Sequence, residues 1–203
     1  MKIALIGASG HAGSRILAEL ANRRHQVTAI VRHPDKIPKH EGVTTVKGDV
    51  HETPELVELL AGHDAVISSL HFLSCDAPTI LKAIREAGLR RYLVVGGAGS
   101  LEVRPGLRVV DTTEVPPIYR AESSAGVAFL ETLRTVSDLD WTFLSPSAEF
   151  VEGVRTGTFR LGEDALLHDS QGRSWISYED YAVALVDELE QPKHLQRRFT
   201  VGY

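Results

Sequence analysis

The chain has 203 residues, 43% apolar and 24% charged, which describes one ordinary globular domain with a sizeable core. A net charge of −5 provides no electrostatic footprint for nucleic acid or an anionic membrane. The one cysteine, Cys75, excludes an intramolecular disulfide, and no run of about 18 apolar residues offers a membrane span.

Residues 2–7, KIALIG, are a short apolar run closed by glycine and predict a buried strand. Residues 11–24 place Ile16, Leu17 and Leu20 on one face of an amphipathic helix. Residues 25–32 and 42–50 predict strands two and three. A helix is expected over 53–62, with Thr53 as N-cap, Pro54 at its first position and Gly62 as its stop. Strand four follows at 63–70, a helix closed by Gly88 at 77–88, and strand five at 89–100, ending in a second glycine cluster. Residues 101–117 hold three prolines and no sustained period, and predict a loop. A long helix is expected over 118–137, a buried strand within 139–150, and short strands and turns over 155–177. Ser177 and Asp180 form a capping-box pattern for a helix that Pro192 stops, and a last short strand is expected over 197–203. The acidic run at 186–190 reads as the solvated face of that helix.

Apolar strands alternating with helices predict an α/β fold: a doubly wound, mainly parallel Rossmann sheet covered on both faces. The whole chain, 1–203, is expected to be one NAD(P)-binding domain, with a small C-terminal substrate-side subdomain built from 101–117 and 150–177. Ligands of such sheets bind outside the carboxyl ends of the strands, where both glycine clusters lie.

Gly7, Gly10 and Gly13 follow the first strand at intervals of three. Gly7 allows the sharp turn, Gly10 the approach of a pyrophosphate, and Gly13 close packing of helix on sheet. The helix N-terminus then points unpaired N–H groups at the phosphates. At the end of strand two, where an NAD-selective site tends to carry an acid, this chain has Arg32, with His33 and Lys36 nearby. A guanidinium suits a 2′-phosphate, so NADP(H) is favoured over NAD(H), although Asp35 keeps NAD(H) open. Asp49 is suited to the adenine amino group, with Val50 packed on the ring, and residues 68–72 should line ribose and phosphates.

The stretches GASGHAG, VRHPDK, GDV, VVGGAGSLEV, DWTFLSPSAEF and SWISYEDYAVALVDELEQP together resemble the atypical short-chain dehydrogenase/reductases. More narrowly they resemble the small NAD(P)H-binding group that includes NADH-flavin reductases, biliverdin reductase B and NmrA-like proteins. That resemblance covers almost the whole chain. It implies cofactor contacts at Gly7, Ser9, Gly10, His11, Ala12, Arg32, Asp49, Val50, Ser69, Leu70 and Gly97, with the nicotinamide end near Pro146 and Ser147.

One departure limits the chemistry. Typical members carry Tyr-x-x-x-Lys on the long helix, whereas here Tyr119 is followed at the fourth place by Ser123, and no lysine occurs between Lys82 and Lys193. A tyrosine without that lysine is a poor acid–base group for alcohol oxidation at neutral pH. Hydride transfer from NADPH to a flavin such as FMN, a quinone or another conjugated acceptor asks less of the protein, because cofactor and acceptor carry the chemistry. Ser100 and Tyr119 are the candidate catalytic donors. The alternatives are a non-catalytic NAD(P)(H)-binding sensor of the NmrA type and, with less support, a sugar-nucleotide epimerase or dehydratase. The nine histidines show no ligand spacing, so no metal site is expected, and Cys75 near the pocket reads as a packed or free thiol. The four apolar residues at 3–6 are too few for a signal-peptide core, and a cytoplasmic monomer or homodimer acting on a small-molecule acceptor is expected.

Overall fold

The computed structural model describes all 203 residues. Strands β1 (Lys2–Ile6), β2 (Gln26–Val31), β3 (Val43–Lys47), β4 (Ala65–Ser68) and β5 (Arg91–Val95) alternate with helices α1 (His11–Asn22), α2 (Thr53–Leu60) and α3 (Ala77–Glu86). Two short strands, β6 (Glu102–Arg104) and β7 (Leu107–Arg108), precede the long helix α4 (Pro117–Arg134). The remainder comprises β8 (Asp140–Pro146), β9 (Glu149–Val151), β10 (Arg160–Gly162), β11 (Trp175–Ser177), α5 (Tyr178–Glu190) and β12 (Arg197–Gly202). No helix is long and apolar enough to cross a membrane.

Eight strands form the central sheet in the order β10-β12-β8-β5-β4-β1-β2-β3. All neighbours are parallel except β10, which runs antiparallel to β12 at one edge. The chain builds outward from β1 to β3, then crosses back to lay β4 on the other side of β1. This reversal opens a crevice at the carboxyl ends of β1 and β4, where ligands of such sheets bind.

The strands are apolar at successive positions because both faces are covered. In β1, Ile3 and Leu5 enter the core shared with α1 and α5, while Ala4 and Ile6 enter the one shared with α2, α3 and α4. In β5 the same alternation sends Leu93 and Val95 one way and Tyr92 and Val94 the other. A third, small core of Leu101, Val109 and Val115 supports residues 101–117, with Leu166 against it.

Several local expectations are corrected. Residues 101–117 are not a plain loop: β6 and β7 pair as a hairpin. Its backbone is tied to residues 164–166, since Glu102 N–H donates to the Asp164 carbonyl and Leu166 N–H to the Glu102 carbonyl. The segment it is tied to lies about sixty residues on, so no local period could reveal that contact. Thr53 is the first helical residue of α2 rather than its cap; the cap position is Glu52, with no side-chain bond. The chain has already turned there, because Glu52 N–H donates to the Asp49 carbonyl. The capping box of α5 is half formed. Ser177 Oγ accepts from Asp180 N–H, but the Asp180 carboxylate accepts from Thr156 and Gly157 N–H and from the Tyr203 hydroxyl. The long helix ends at Arg134, and the terminal strand is a buried member of the main sheet beside β8.

The acidic run at 186–190 is not a solvated face. Glu188 is buried beside Arg91 and accepts from His194 Nδ1 at 2.8 Å, while Asp187 and Glu190 hold Arg23 at 2.7 and 2.8 Å. Across the same seam, Glu19 of α1 takes Arg23 at 2.8 Å and Arg155 at 2.8 Å. The Arg155 hydrogen bond, followed by that of Arg23, holds the Glu19 carboxyl below its usual range against the opposing effect of burial. These pairs fasten residues 152–158 over the α1–α5 layer.

Candidate functional site

A cavity of about 880 Å³ opens along the carboxyl ends of the sheet. All the candidate residues line it: Gly7, Ser9, Gly10, His11 and Ala12 from the first turn, Arg32 after β2, Asp49 and Val50 after β3, Ser69 and Leu70 after β4, Gly97 and Ser100 after β5, Tyr119 of α4, and Pro146 and Ser147 at the end of β8. His33, Asp35 and Lys36 do not reach it.

The three glycines of the first turn differ in what they answer to. Gly7 has φ +82°, and a Cβ there would stand 2.1 Å from the Ser69 carbonyl oxygen. A Cβ on Gly13 would stand 2.1 Å from the Gly7 carbonyl oxygen. Protein packing alone therefore requires both. Gly10 is different: its φ is −74°, and a Cβ there would meet only the Gly7 carbonyl oxygen, at 3.5 Å. The space it leaves faces the cavity, beside an α1 N-terminus that carries no side-chain cap. The N–H groups of His11, Ala12 and Gly13 have no backbone acceptor, which is the donor set a phosphate takes. The turn fits a dinucleotide pyrophosphate on this ground.

At the β2–β3 end, Arg32 is exposed and makes no hydrogen bond or ion pair within the chain, so its whole donor fork is free. Asp49 Oδ1 accepts from His51 N–H at 3.0 Å, a local turn that leaves the second oxygen open. The opposite end is apolar and aromatic: Val109, Val115, Phe150, Val151, Leu166 and Tyr178 line it. Tyr178 stacks on His11 with 5.6 Å between centroids and packs edge-on against Phe150 at 4.5 Å. Burial pushes the Tyr178 phenol above its ordinary pKa, so it stays neutral.

Both candidate donors, Tyr119 and Ser100, stand at this end among other hydroxyls, and no lysine lines the cavity. Tyr119 is 61% exposed in the first turn of α4. Ser100 is buried, and its Oγ accepts from Arg198 Nη1 at 3.2 Å. Ser123, at the place of the missing lysine, packs against Gly99, where a Cβ would come within 3.1 Å of it. Ser147 lines the wall, but its hydroxyl donates to the Val201 carbonyl at 3.0 Å and ties β8 to β12. Phe72 is held across from these by Glu122, whose carboxylate accepts from Phe72 and Leu73 N–H at 2.6 and 3.1 Å. Cys75 does not line the main cavity; it is buried, and burial, reinforced by Asp76 and Asp49, pushes its thiol up to about 11, so it holds its proton. No group of three or more His, Cys, Asp or Glu side chains is arranged to hold a metal ion.

Sequence reasoning missed Tyr178, Phe150, Glu122 and Arg198, while Phe72 falls in the 68–72 stretch expected to line the pocket. Tyr178 had a signal: it is the first residue of a helix that starts at the carboxyl end of a strand. Arg198 had none, because an arginine following Arg197 in a terminal strand reads as solvent-facing.

A parallel sheet with a glycine cradle at its reversal point defines a Rossmann dinucleotide-binding protein. The model of the NAD(P)H-binding family matches residues 7–192, and the chain belongs to that family. It is 40% identical to the protein YwnB of Bacillus subtilis (strain 168), over 99% of this chain and 98% of that one. Among solved structures, a candidate epimerase from Bacteroides thetaiotaomicron is 47% identical, with a TM-score of 0.95 over 100% of this chain and 96% of that one. A candidate NADH-flavin reductase from Streptococcus pneumoniae TIGR4 is 36% identical, with a TM-score of 0.83 over 100% and 99% of the two chains. The protein is an oxidoreductase-like member of this family, and its cofactor is a nicotinamide dinucleotide.

Proposed function

We propose that the protein is an NADPH-dependent reductase that delivers hydride to a flavin, quinone or similar conjugated acceptor. The observation that carries this reading is the make-up of the cavity at the carboxyl ends of the sheet. It runs from a free arginine through a phosphate cradle to an aromatic and apolar wall that contains hydroxyls and no lysine.

In this reading the first-turn N–H groups of α1 hold the pyrophosphate, and Gly10 lets it approach. Arg32 takes the 2′-phosphate through paired N–H donors, which selects NADPH over NADH. Asp49 and Val50 hold the adenine, Ser69, Leu70 and Gly97 the ribose and phosphates, and Pro146 and Ser147 border the nicotinamide. Bound NADPH supplies the hydride. The protein's own contribution is to orient the two rings and exclude water, with Phe150, Val151, Leu166 and Tyr178 as the wall beside the acceptor. The S. pneumoniae relative supports the choice of acceptor class. The missing lysine speaks against the alcohol chemistry that an epimerase of this group would need.

Titration of protein fluorescence with NADPH and NADH tests the first half, and NADPH oxidation with FMN, riboflavin and quinones the second. NADPH is expected to bind more tightly, and at least one acceptor to turn over. Tighter NADH binding removes the role of Arg32. Binding without turnover across the panel replaces the reductase with a nucleotide sensor, and failure to bind either nucleotide sinks the reading.

A further inference from the structure

Arg198 is a charged residue in the interior of a buried strand. Its side chain is 3% exposed, between the exposed Arg197 and the buried Phe199. Burying a guanidinium is costly unless its donors are matched, and a buried ion pair is weak grounds for stability. Its matches here are few. Nε and Nη2 both go to Asp164 Oδ1, the first at 3.1 Å and the second closer, and Nη1 donates to Ser100 Oγ at 3.2 Å. Asp164 is 60% exposed, and its backbone is tied to the β6–β7 hairpin through Glu102 N–H.

The direction of the Ser100 bond has a chemical consequence. A guanidinium has only donors, so it occupies a lone pair of Ser100 Oγ and cannot receive the hydroxyl proton. Ser100 has no other hydrogen-bond partner in the protein, and it lines the cavity. Its O–H is therefore left to donate into the cavity, and the charged donor behind the oxygen strengthens it. Tyr119, the other candidate donor, has no group behind it and is mostly exposed.

Building on the reductase reading above, in which Ser100 is a candidate donor, we infer that Arg198 is the positioning residue that aims the Ser100 hydroxyl at the acceptor's reacting group. The acceptor class is thereby narrowed. It carries a carbonyl or imine whose heteroatom lies in conjugation with the atom that takes the hydride, as in flavins and quinones. Hydride addition leaves an electron pair on that heteroatom, and the Ser100 O–H stabilises it. Arg198 keeps its charge throughout, Ser100 keeps its proton, and the reduced anion takes its neutralising proton from solvent once it leaves the site.

Ser100→Ala, Arg198→Met, Arg198→Lys and the double variant Ser100→Ala/Arg198→Met test this, with thermal melts to establish folding. Ser100→Ala and Arg198→Met are each expected to lower kcat for riboflavin reduction about 10-fold or more, with the Kd for NADPH changed by less than about 2-fold. Arg198→Lys is expected to recover part of the loss. Arg198→Met should add nothing in the Ser100→Ala background; an equal loss in both backgrounds shows a merely structural arginine and overturns the inference. Should Arg198→Met fail to fold, Asp164→Asn takes its place in the same cycle, since Asp164 is largely exposed.

A binding measurement separates this inference from the reductase reading. Riboflavin fluorescence quenching by the NADP⁺-saturated protein should weaken about 5-fold in both single variants. Unchanged affinity in both overturns the inference whatever the turnover. Serine-dependent binding without NADPH oxidation sinks the reductase reading and upholds the donor. No riboflavin binding at all overturns both.

Discussion

The two ends of the cavity are built in different ways. The nucleotide end comes from loops that each follow a strand of the first five, and much of its shape is set within single turns, as in Gly7 against Gly13 and Asp49 against His51, with Ser69 against Gly7 joining two of them. The acceptor end is assembled from residues within 98–123, 146–151, Leu166 and Tyr178, and its contacts span long separations, such as Ser100 to Arg198 and Phe72 to Glu122. One end is a local design repeated along the chain. The other exists only when distant segments are brought together, so a substitution there acts through several elements at once.

Within the local end, the glycines offer the largest effects and a direct contrast. Gly7→Ala requires a left-handed alanine and a Cβ driven into the Ser69 carbonyl, so it is expected to cost about 3 kcal/mol or more, or to prevent folding. Gly10→Ala is expected to change stability by less than about 1 kcal/mol, because its Cβ meets protein only at 3.5 Å. The same change should weaken nucleotide binding about 10-fold or more, since it fills the cradle. Urea unfolding together with NADPH titration separates the two; equal stability losses would break the distinction between packing and ligand glycines.

Next in size is Arg32→Ala, which is expected to raise the Kd for NADPH about 10- to 100-fold and that for NADH less than about 3-fold. Fluorescence titration checks it, and equal losses would mean that Arg32 acts on the adenine rather than on the 2′-phosphate.

Outside the cavity, the long-range clamp of Arg155 on α1 is tested by pH. Arg155 and Arg23 hold the Glu19 carboxyl low in the folded protein, so the unfolded chain binds its proton first as pH falls. The stabilisation is complete above the pH at which an unfolded glutamate ionises and is lost as pH falls through the lower folded value. Calorimetric melts from pH 7 to pH 3 should therefore show a smaller fall in Tm for Glu19→Gln than for the native protein. Parallel curves would mean that the clamp of residues 152–158 over the α1–α5 layer does not depend on this charge.

The smallest effect is expected for Tyr119→Phe, less than about 3-fold in kcat for the reductase, because the hydroxyl has no partner and is mostly in solvent. A large loss would shift the donor role from Ser100 to Tyr119.

Legibility in the sequence follows the same division. Strand–helix alternation and the spacing of Gly7, Gly10 and Gly13 made the parallel sheet and the cradle readable, because each depends on residues within a dozen positions. Element ends were less readable: Thr53 is inside its helix, and β4 covers only four of the eight residues expected. The acidic run at 186–190 misled because charge alone does not reveal a partner. Glu188 is buried by Arg91 and His194, and Asp187 is engaged by Arg23 from α1.

By itself the sequence determined the fold class, the cofactor class and the absence of the usual lysine, since these rest on local periodicity, on backbone freedom at single glycines and on residue identity. Only the tertiary structure decided that residues 102–108 form a hairpin tied to 164–166, and that Arg198 stands behind Ser100. Those facts depend on what meets across a hundred residues of chain, and the sequence supplies the partners without saying which of them meet.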